Sequence, residues 1–187
     1  KAFDVKYEDD SGEQKYVHQT TYGMSERLLG ATVATHGDDK GLIMPPSIAP
    51  IQVVIIPILS KDGSEEIMSV ANEILKELKS EKIRVKLDDR DIRPGQKYYD
   101  WEIKGVPLRI ELGPRDLKSN SFMCARRTGE KSSYNLKELV GSVRKELDSV
   151  NDHMKEAAGS HFNKHIKKMP KVEISGSTVS FEKKLED

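Results

Sequence analysis

Cysteine is nearly absent from this 187-residue chain, and Cys124 is its only one. A single cysteine excludes an intramolecular disulfide and any multi-cysteine zinc site, and it fits a reducing compartment. No apolar run approaches the ~20 residues that a membrane-spanning helix requires. Net charge is missing too. The 31 Lys and Arg balance 31 Asp and Glu, so bulk charge names no partner. Aromatic residues make up only 6% of the chain, and the core has first claim on them. There is no internal repeat, no low-complexity segment, no signal peptide and no initiator methionine. Lys1 opens inside what reads as a strand, which leads us to expect a piece of a longer protein.

What is present is enough sequence for one ordinary domain with appendages. Charge is distributed unevenly along it. Residues 81–131 hold 13 Lys and Arg against 9 Asp and Glu. Such a surplus suits a phosphate-bearing partner and equally suits a solvated face.

The hydrophobic pattern divides the chain into elements. Phe3, Val5 and Tyr7 alternate with polar residues, Asp9 to Gly12 carry turn chemistry, and Tyr16, Val17 and His18 resume as a return strand. Ser25 is a candidate N-cap before a helix marked by Leu28, Leu29, Thr32, Val33 and His36, with Gly37 expected as its C-terminal cap. Pro45, Pro46 and Pro50 belong in neither a helix interior nor a central strand, so 45–50 reads as a linker. Ile51 to Leu59 is apolar and β-branched throughout, the pattern of a strand buried on both faces. Ser64 is a candidate cap for the helix of Ile67, Val70, Ala71, Ile74, Leu75 and Leu78.

Further on, Ile83, Val85 and Leu87 alternate as a second strand. Gln96 to Lys104 reads as a helix ended by Gly105. Pro107 to Leu112 and Ser121 to Ala125 are a third and a fourth strand, and Asn135 to Ala158 a long amphipathic helix. The order β-α-β-α-β-β-α describes an α/β sheet of four or five strands packed by helices, its first two strands parallel through a right-handed crossover. The tail from Gly159 alternates at Val172 and Ile174, then at Val179 and Phe181, around Ser175 and Gly176, as a hairpin would.

Two constellations carry chemistry. The first is HQTTYGMSERLLGATVATHGDDKGLIMPP, from His18 to Pro46. Arg27 opens a helix beside the glycine turn at Gly23, where free backbone N–H groups and a fixed cation converge, an arrangement suited to a polyanion. A surface arginine in a helix's first turn is the plainer explanation of Arg27 taken alone. His18 and His36 taken alone are structural histidines, and the spacing of His36, Asp38 and Asp39 fits no zinc motif.

The second constellation is RDIRPGQKYYDWEIKGVPLRIELGPRDL, from Arg90 to Leu117. Glu102, Arg109 and Asp116 recur at intervals of seven: Glu102 late in a helix, Arg109 on the next strand and Asp116 in the loop beyond. Lys131 follows the fourth strand. Arginine offers a fork to guanine O6 and N7, and carboxylates accept from base amino groups, which single-stranded loops expose. A surface salt-bridge set among Glu102, Arg109 and Asp116 explains the same residues more simply. Tyr98, Tyr99, Trp101 and Phe122 could stack bases, but packing is the expectation. Cys124, within the apolar FMCA, reads as an inert buried thiol.

The first string resembles motif 3 of the class II aminoacyl-tRNA synthetases, and the match is close to the prolyl-tRNA synthetase family of archaeal and eukaryotic type. Tyr22 stands where many members carry Trp, and Met24–Ser25–Glu26 replaces the commoner Leu–Ser/Thr–Thr. The second string is similar to WExKGVPLRxExGPRD, the prolyl form of an anticodon-binding domain shared with the threonyl, histidyl and glycyl enzymes. The resemblance spans about 16–143. It implies the end of an antiparallel catalytic sheet (1–46), a mixed-sheet α/β anticodon-binding domain (47–150) and a small C-terminal α+β domain (151–187), the last assigned by order alone.

It also implies roles. Arg27 would hold the γ-phosphate of ATP, with Gly23 and Ser25 beside the nucleotide and His18 and Tyr22 near the substrate pocket. Glu102, Arg109, Asp116 and Lys131 would read the two guanines of proline anticodons. The implied substrates are ATP with Mg²⁺, proline and tRNA(Pro), in a cytoplasmic homodimer with no membrane association. The family's cysteine zinc site has no counterpart in this tail, so no zinc is expected. Without motif 2 and a proline pocket, the chain alone is expected to be inactive. The rival reading is a non-catalytic anticodon-domain paralogue serving as an RNA-binding accessory subunit. A doubly wound nucleotide-binding domain is disfavoured, because no glycine-rich loop follows Ile51–Leu59.

Overall fold

A computed structural model describes residues 3–59 and 63–166, together with the backbone of 172–175 and 178–181. The chain divides into two compact units, 1–31 and 32–187.

In the first unit, β1 (Lys6–Glu8) and β2 (Gln14–Tyr16) form an antiparallel hairpin. Asp9 closes the turn: its Oδ1 accepts from the Ser11 amide at 2.9 Å, the Ser11 hydroxyl at 2.6 Å and the Glu13 amide at 3.1 Å. The return strand is shorter than the alternation suggests. It stops at Tyr16, and His18 lies outside it. Helix α1 (Arg27–His36) starts in this unit, ends in the second and buries no residue. Gly37 follows, but not in the left-handed conformation expected of a C-cap glycine. A glycine is needed there for room, because a Cβ would lie 2.7 Å from the Val33 carbonyl oxygen.

In the second unit, β3 (Val53–Pro57), β4 (Val85–Leu87), β5 (Leu108–Leu112), β6 (Ser121–Arg126) and β7 (Lys131–Asn135) make a mixed sheet in the order β4-β3-β5-β6-β7. The β3–β4 and β3–β5 pairs are parallel; β5–β6 and β6–β7 are antiparallel. The sheet separates two apolar layers. Val53, Ile55, Leu108, Ile110, Phe122 and Cys124 pack against α2 (Ser64–Ser80) and α5 (Leu139–His165) on one face. Val54 and Ile56 meet Trp101 of α3 (Pro94–Ile103) and Val106 on the other. All five residues of β3 are buried, as its unbroken apolar run requires.

Four local expectations need correction. Gly63, not Ser64, is the N-cap of α2, and Ser64 is its first helical residue. Asp116 lies on a short helix, α4 (Pro114–Lys118), not in a loop. The segment 131–135 is strand β7, so the long helix starts later than Asn135, after a 3-10 turn (Leu136–Glu138). β7 was hard to see because its KSSYN is polar and exposed on one face, an edge-strand composition. The proline stretch 45–50 is not a free linker. Arg84 donates from Nε to the Ala49 carbonyl at 2.7 Å and from Nη2 to the Pro46 carbonyl at 2.9 Å.

In the tail, β8 (Val172–Ser175) and β9 (Thr178–Phe181) pair antiparallel, as the alternation implied; Gly176 lies outside the described residues. Cys124 is buried, and burial pushes its thiol up to about 12. It is expected to resist a thiol reagent such as DTNB in native buffer and to react fully in denaturant; reaction as fast in native buffer as in denaturant would contradict this burial.

Candidate nucleic-acid interface

The strand register explains how distant residues meet. Arg109 of β5 pairs with Ala125 of β6, which pairs with Lys131 of β7. In the next row down that face, Glu111 pairs with Met123 and Met123 with Ser133. Alternation places these side chains on the α3 side of the sheet, the side carrying Val54 and Ile56.

The site is organised by Glu111. Its Oε1 accepts from Arg109 Nε at 2.9 Å and from Lys131 Nζ at 3.2 Å. The Arg109 guanidinium carbon lies 4.1 Å from the centre of the Tyr98 ring, and Lys131 Nζ lies 6.0 Å from it. Tyr98 reaches this point from α3. Burial, then the charge of Glu111, pushes its hydroxyl up to about 12, so it stays protonated near neutrality. Arg109 is largely screened, with its side chain 13% exposed, whereas that of Lys131 is 53% exposed. The result is a planar cation stacked on an aromatic ring, a half-exposed ammonium beside it and one carboxylate that sets their positions. Such a group can stack a base, pair with its edge and neutralise a phosphate.

Two of the predicted readers stand differently. Asp116 turns its Oδ2 to the Gly113 amide at 2.8 Å and so caps its own helix. Glu102 is nearest a cation at Lys40, whose Nζ lies 4.0 Å from its Oε1. The simple salt-bridge set Glu102–Arg109–Asp116 is therefore not formed; Arg109 pairs with Glu111 instead. Glu111 was not among the residues expected here, and Tyr98 was expected to pack rather than to stack a base. The signal was available: Arg109 and Glu111 are two apart on a strand, hence on one face. Trp101 and Phe122 are core residues, and Tyr99 is exposed.

α3 is held in place by a buried charge. Asp88 accepts from Trp101 Nε1 at 2.7 Å and from Arg90 at 2.9 and 2.7 Å, and its carbonyl accepts from the buried Lys97 at 3.0 Å. Burial pushes the carboxyl upward, but the hydrogen bonds from Arg90 and Trp101 together outweigh it and hold the group down to about 2.

In the first unit, Arg27 is the first residue of α1 and is exposed, as are His18, Gly23 and Ser25. Tyr22 is 94% exposed and Met24 86%. A Cβ on Gly23 would meet nothing within 4 Å, so no neighbour in this chain demands a glycine there. Asp38 is engaged by Arg127, whose Nη1 lies 2.9 Å from its Oδ2. Among the described residues no cluster of three His, Cys, Asp or Glu could hold a metal, and no helix is long and apolar enough to cross a membrane.

The second unit is thus an α/β domain built on a mixed five-stranded sheet, and residues 52–146 match the family described as "Anticodon binding domain". The chain belongs to that family. It is also similar to proteins named "Proline--tRNA ligase". It is 51% identical over 174 residues to that of Thermococcus kodakarensis, covering 92% of this chain and 36% of the relative. It is 52% identical over 167 residues to that of Methanosarcina mazei, covering 89% and 35%. The Pyrococcus abyssi protein is 50% identical over 174 residues, covering 92% and 36%. The chain thus spans little more than a third of the length of these relatives.

Proposed function

We propose that this chain is the C-terminal portion of a proline--tRNA ligase that activates proline with ATP and transfers it to tRNA(Pro). About half of the residues are identical to such ligases over nine-tenths of the chain, and that observation carries the reading. None of these relatives favours the accessory-subunit alternative.

In this reading 47–150 grips the anticodon, 1–46 closes the catalytic domain and 151–187 forms a small C-terminal domain. Arg109, Lys131, Glu102 and Asp116 face the two guanines common to proline anticodons, with Arg109 supplying a fork to O6 and N7 above Tyr98. Asp116 and Glu102 supply carboxylates for base amino groups. Arg27 takes the γ-phosphate of ATP, bound with Mg²⁺ as substrate, and offsets charge as pyrophosphate leaves. Gly23 and Ser25 line the nucleotide, and His18 and Tyr22 border the proline pocket. The exposure of Tyr22, Met24, Leu28 and Leu29 is consistent with a surface that further catalytic-domain sequence covers. The parent enzyme acts in the cytoplasm as a homodimer.

The test is binding of synthetic anticodon stem-loops to the chain by fluorescence anisotropy at one fixed salt concentration. The proline loop is expected to bind at least about tenfold tighter than one with its two guanines replaced, taking ~1–3 kcal/mol for each base edge read. Equal affinity for both loops defeats the reading. A second expectation is that the chain alone shows no proline-dependent pyrophosphate exchange, while the longer parent does.

A further inference from the structure

We propose that Arg127 is a positioning residue that couples RNA capture at Glu102 to the turn that follows α1; the inference rests on the anticodon reading above. Arg127 follows β6, and its backbone amide donates to the Pro107 carbonyl at 2.9 Å. Its guanidinium is buried, the side chain only 1% exposed. Its nitrogens divide between two segments of the chain. Nε donates to the Glu102 carbonyl at 3.0 Å, Nη1 to Asp38 Oδ2 at 2.9 Å, and Nη2 to both Asp38 Oδ1 and the Gly41 carbonyl. One fork therefore ties the backbone of the predicted RNA-reading residue to a turn that begins two residues after α1 ends.

The turn itself is internally braced. Asp38 and Gly41 exchange backbone hydrogen bonds at 3.0 Å each, and the Lys40 amide donates to Asp38 Oδ1 at 2.9 Å. The chain then lies along the end of α3: the Leu42 amide donates to the Ile103 carbonyl at 3.2 Å and the Met44 amide to the Gly105 carbonyl at 3.1 Å. The two backbones meet without room for a side chain. A Cβ on Gly41 would sit 2.8 Å from Ile103 Cα, and one on Gly105 2.6 Å from the Leu42 carbonyl oxygen. Lys40 reaches toward the Glu102 carboxylate from the same turn.

Residues 38–44 and the last turn of α3 are thus joined by backbone and fork alike. RNA that orders Glu102 removes freedom from this joint unit, and coupling of that kind needs no change in mean structure. It is also reciprocal, so loosening the turn weakens RNA binding by the same factor.

The experiment uses the 187-residue chain and two RNA stem-loops, one carrying the proline anticodon and one with its guanines replaced by adenines. Hydrogen exchange is followed at the Gly41, Leu42 and Met44 amides. In the wild type the guanine loop is expected to slow their exchange about fivefold, the low end of ordinary coupling, and the adenine loop to leave it unchanged. Arg127→Lys, which keeps the charge and loses the fork, and Asp38→Asn, which removes the acceptor charge away from the RNA face, should each abolish that slowing. Each should also weaken guanine-loop binding about fivefold, the double variant being no weaker than either single one.

Circular dichroism identifies an unfolded variant, and Asp38→Asn decides the matter if Arg127→Lys does not fold. Guanine-loop binding by the wild type with these amides unaffected, or wild-type affinity in the variants, overturns the coupling and leaves Arg127 a structural tie. A wild type that binds neither loop overturns the anticodon reading as well.

Discussion

Replacing Arg109 by alanine should weaken the proline anticodon stem-loop by about 1–3 kcal/mol, roughly five- to 150-fold, while the chain stays folded. The fold should survive because Arg109 stacks on Tyr98 at the edge of the core rather than within it, and because Glu111 keeps Lys131 as its counter-ion. Loss should be concentrated at the guanines. With an adenine loop, where the fork has no O6 and N7 pair to meet, the variant and the wild type should differ little. Arg109→Lys separates charge from geometry: it keeps the cation and loses the planar fork, so guanine preference should fall nearly as far as with alanine. Lys131→Ala should act more evenly across sequences and flatten the salt dependence, as an ammonium on a flexible stem does when it serves phosphate as well as base. Anisotropy titrations at several salt concentrations distinguish the two. An Arg109→Ala chain that binds both loops as the wild type does would remove Arg109 from the interface.

The second large effect is expected at Asp88. Asp88→Ala should cost about 1–3 kcal/mol of unfolding free energy, because it strips the acceptor from the buried Trp101 indole N–H, while Arg90 keeps Asp100 as its counter-ion. Trp101 Nε1 would lose its Asp88 acceptor inside the second apolar layer, and Arg90 would lose two hydrogen bonds. Urea denaturation measures the loss directly. A cost under about 1 kcal/mol would mean that the network contributes little beyond what water supplies.

The same carboxylate sets a pH dependence. Its folded-state value, about 2, lies below the ordinary 3.8, so the folded state favours the ionised form. The stability this contributes is fully present above the unfolded-state value and is lost as pH falls from about 4 toward 2. Asp38 acts in the same direction. The hydrogen bond from Arg127 holds it down to about 2 against some burial. The melting temperature should therefore fall over that window in the wild type, and less steeply in Asp88→Asn, whose side chain has no proton to take up there.

Much of this was legible in the order of residues. The unbroken apolar run of β3 announced a strand covered on both sides, since only a two-faced sheet can remove every side chain of such a run from water. Helical spacing from Ile67 to Leu78 and within 135–158 announced the helices that cover one of those faces, though the second runs on to His165. The strings around Arg27 and around Glu102 carried the family resemblance, because their residues are adjacent in the chain and need no folding to be read.

β7 and α4 were not legible, because local composition was all there was to read. A polar edge strand looks like a loop, and a five-residue helix leaves too few turns for a period to show. Glu111 was missed for a different reason. Its role comes from partners on another strand and another helix, and pairwise spacing along one segment cannot reveal them.

By itself the sequence determined the alternation of strands and helices, the two-faced central strand and the kinship with anticodon-binding domains. These follow from periodicity and from runs of adjacent residues. The tertiary structure alone decided that Arg109, Glu111, Lys131 and Tyr98 form one group, that Asp116 caps its own helix, and that Arg127 ties Asp38 to Glu102. Those pairings depend on strand register and on burial, which bring together residues as many as 89 positions apart. A hydrogen bond between residues so far apart in the chain forms only once folding has fixed both partners in place.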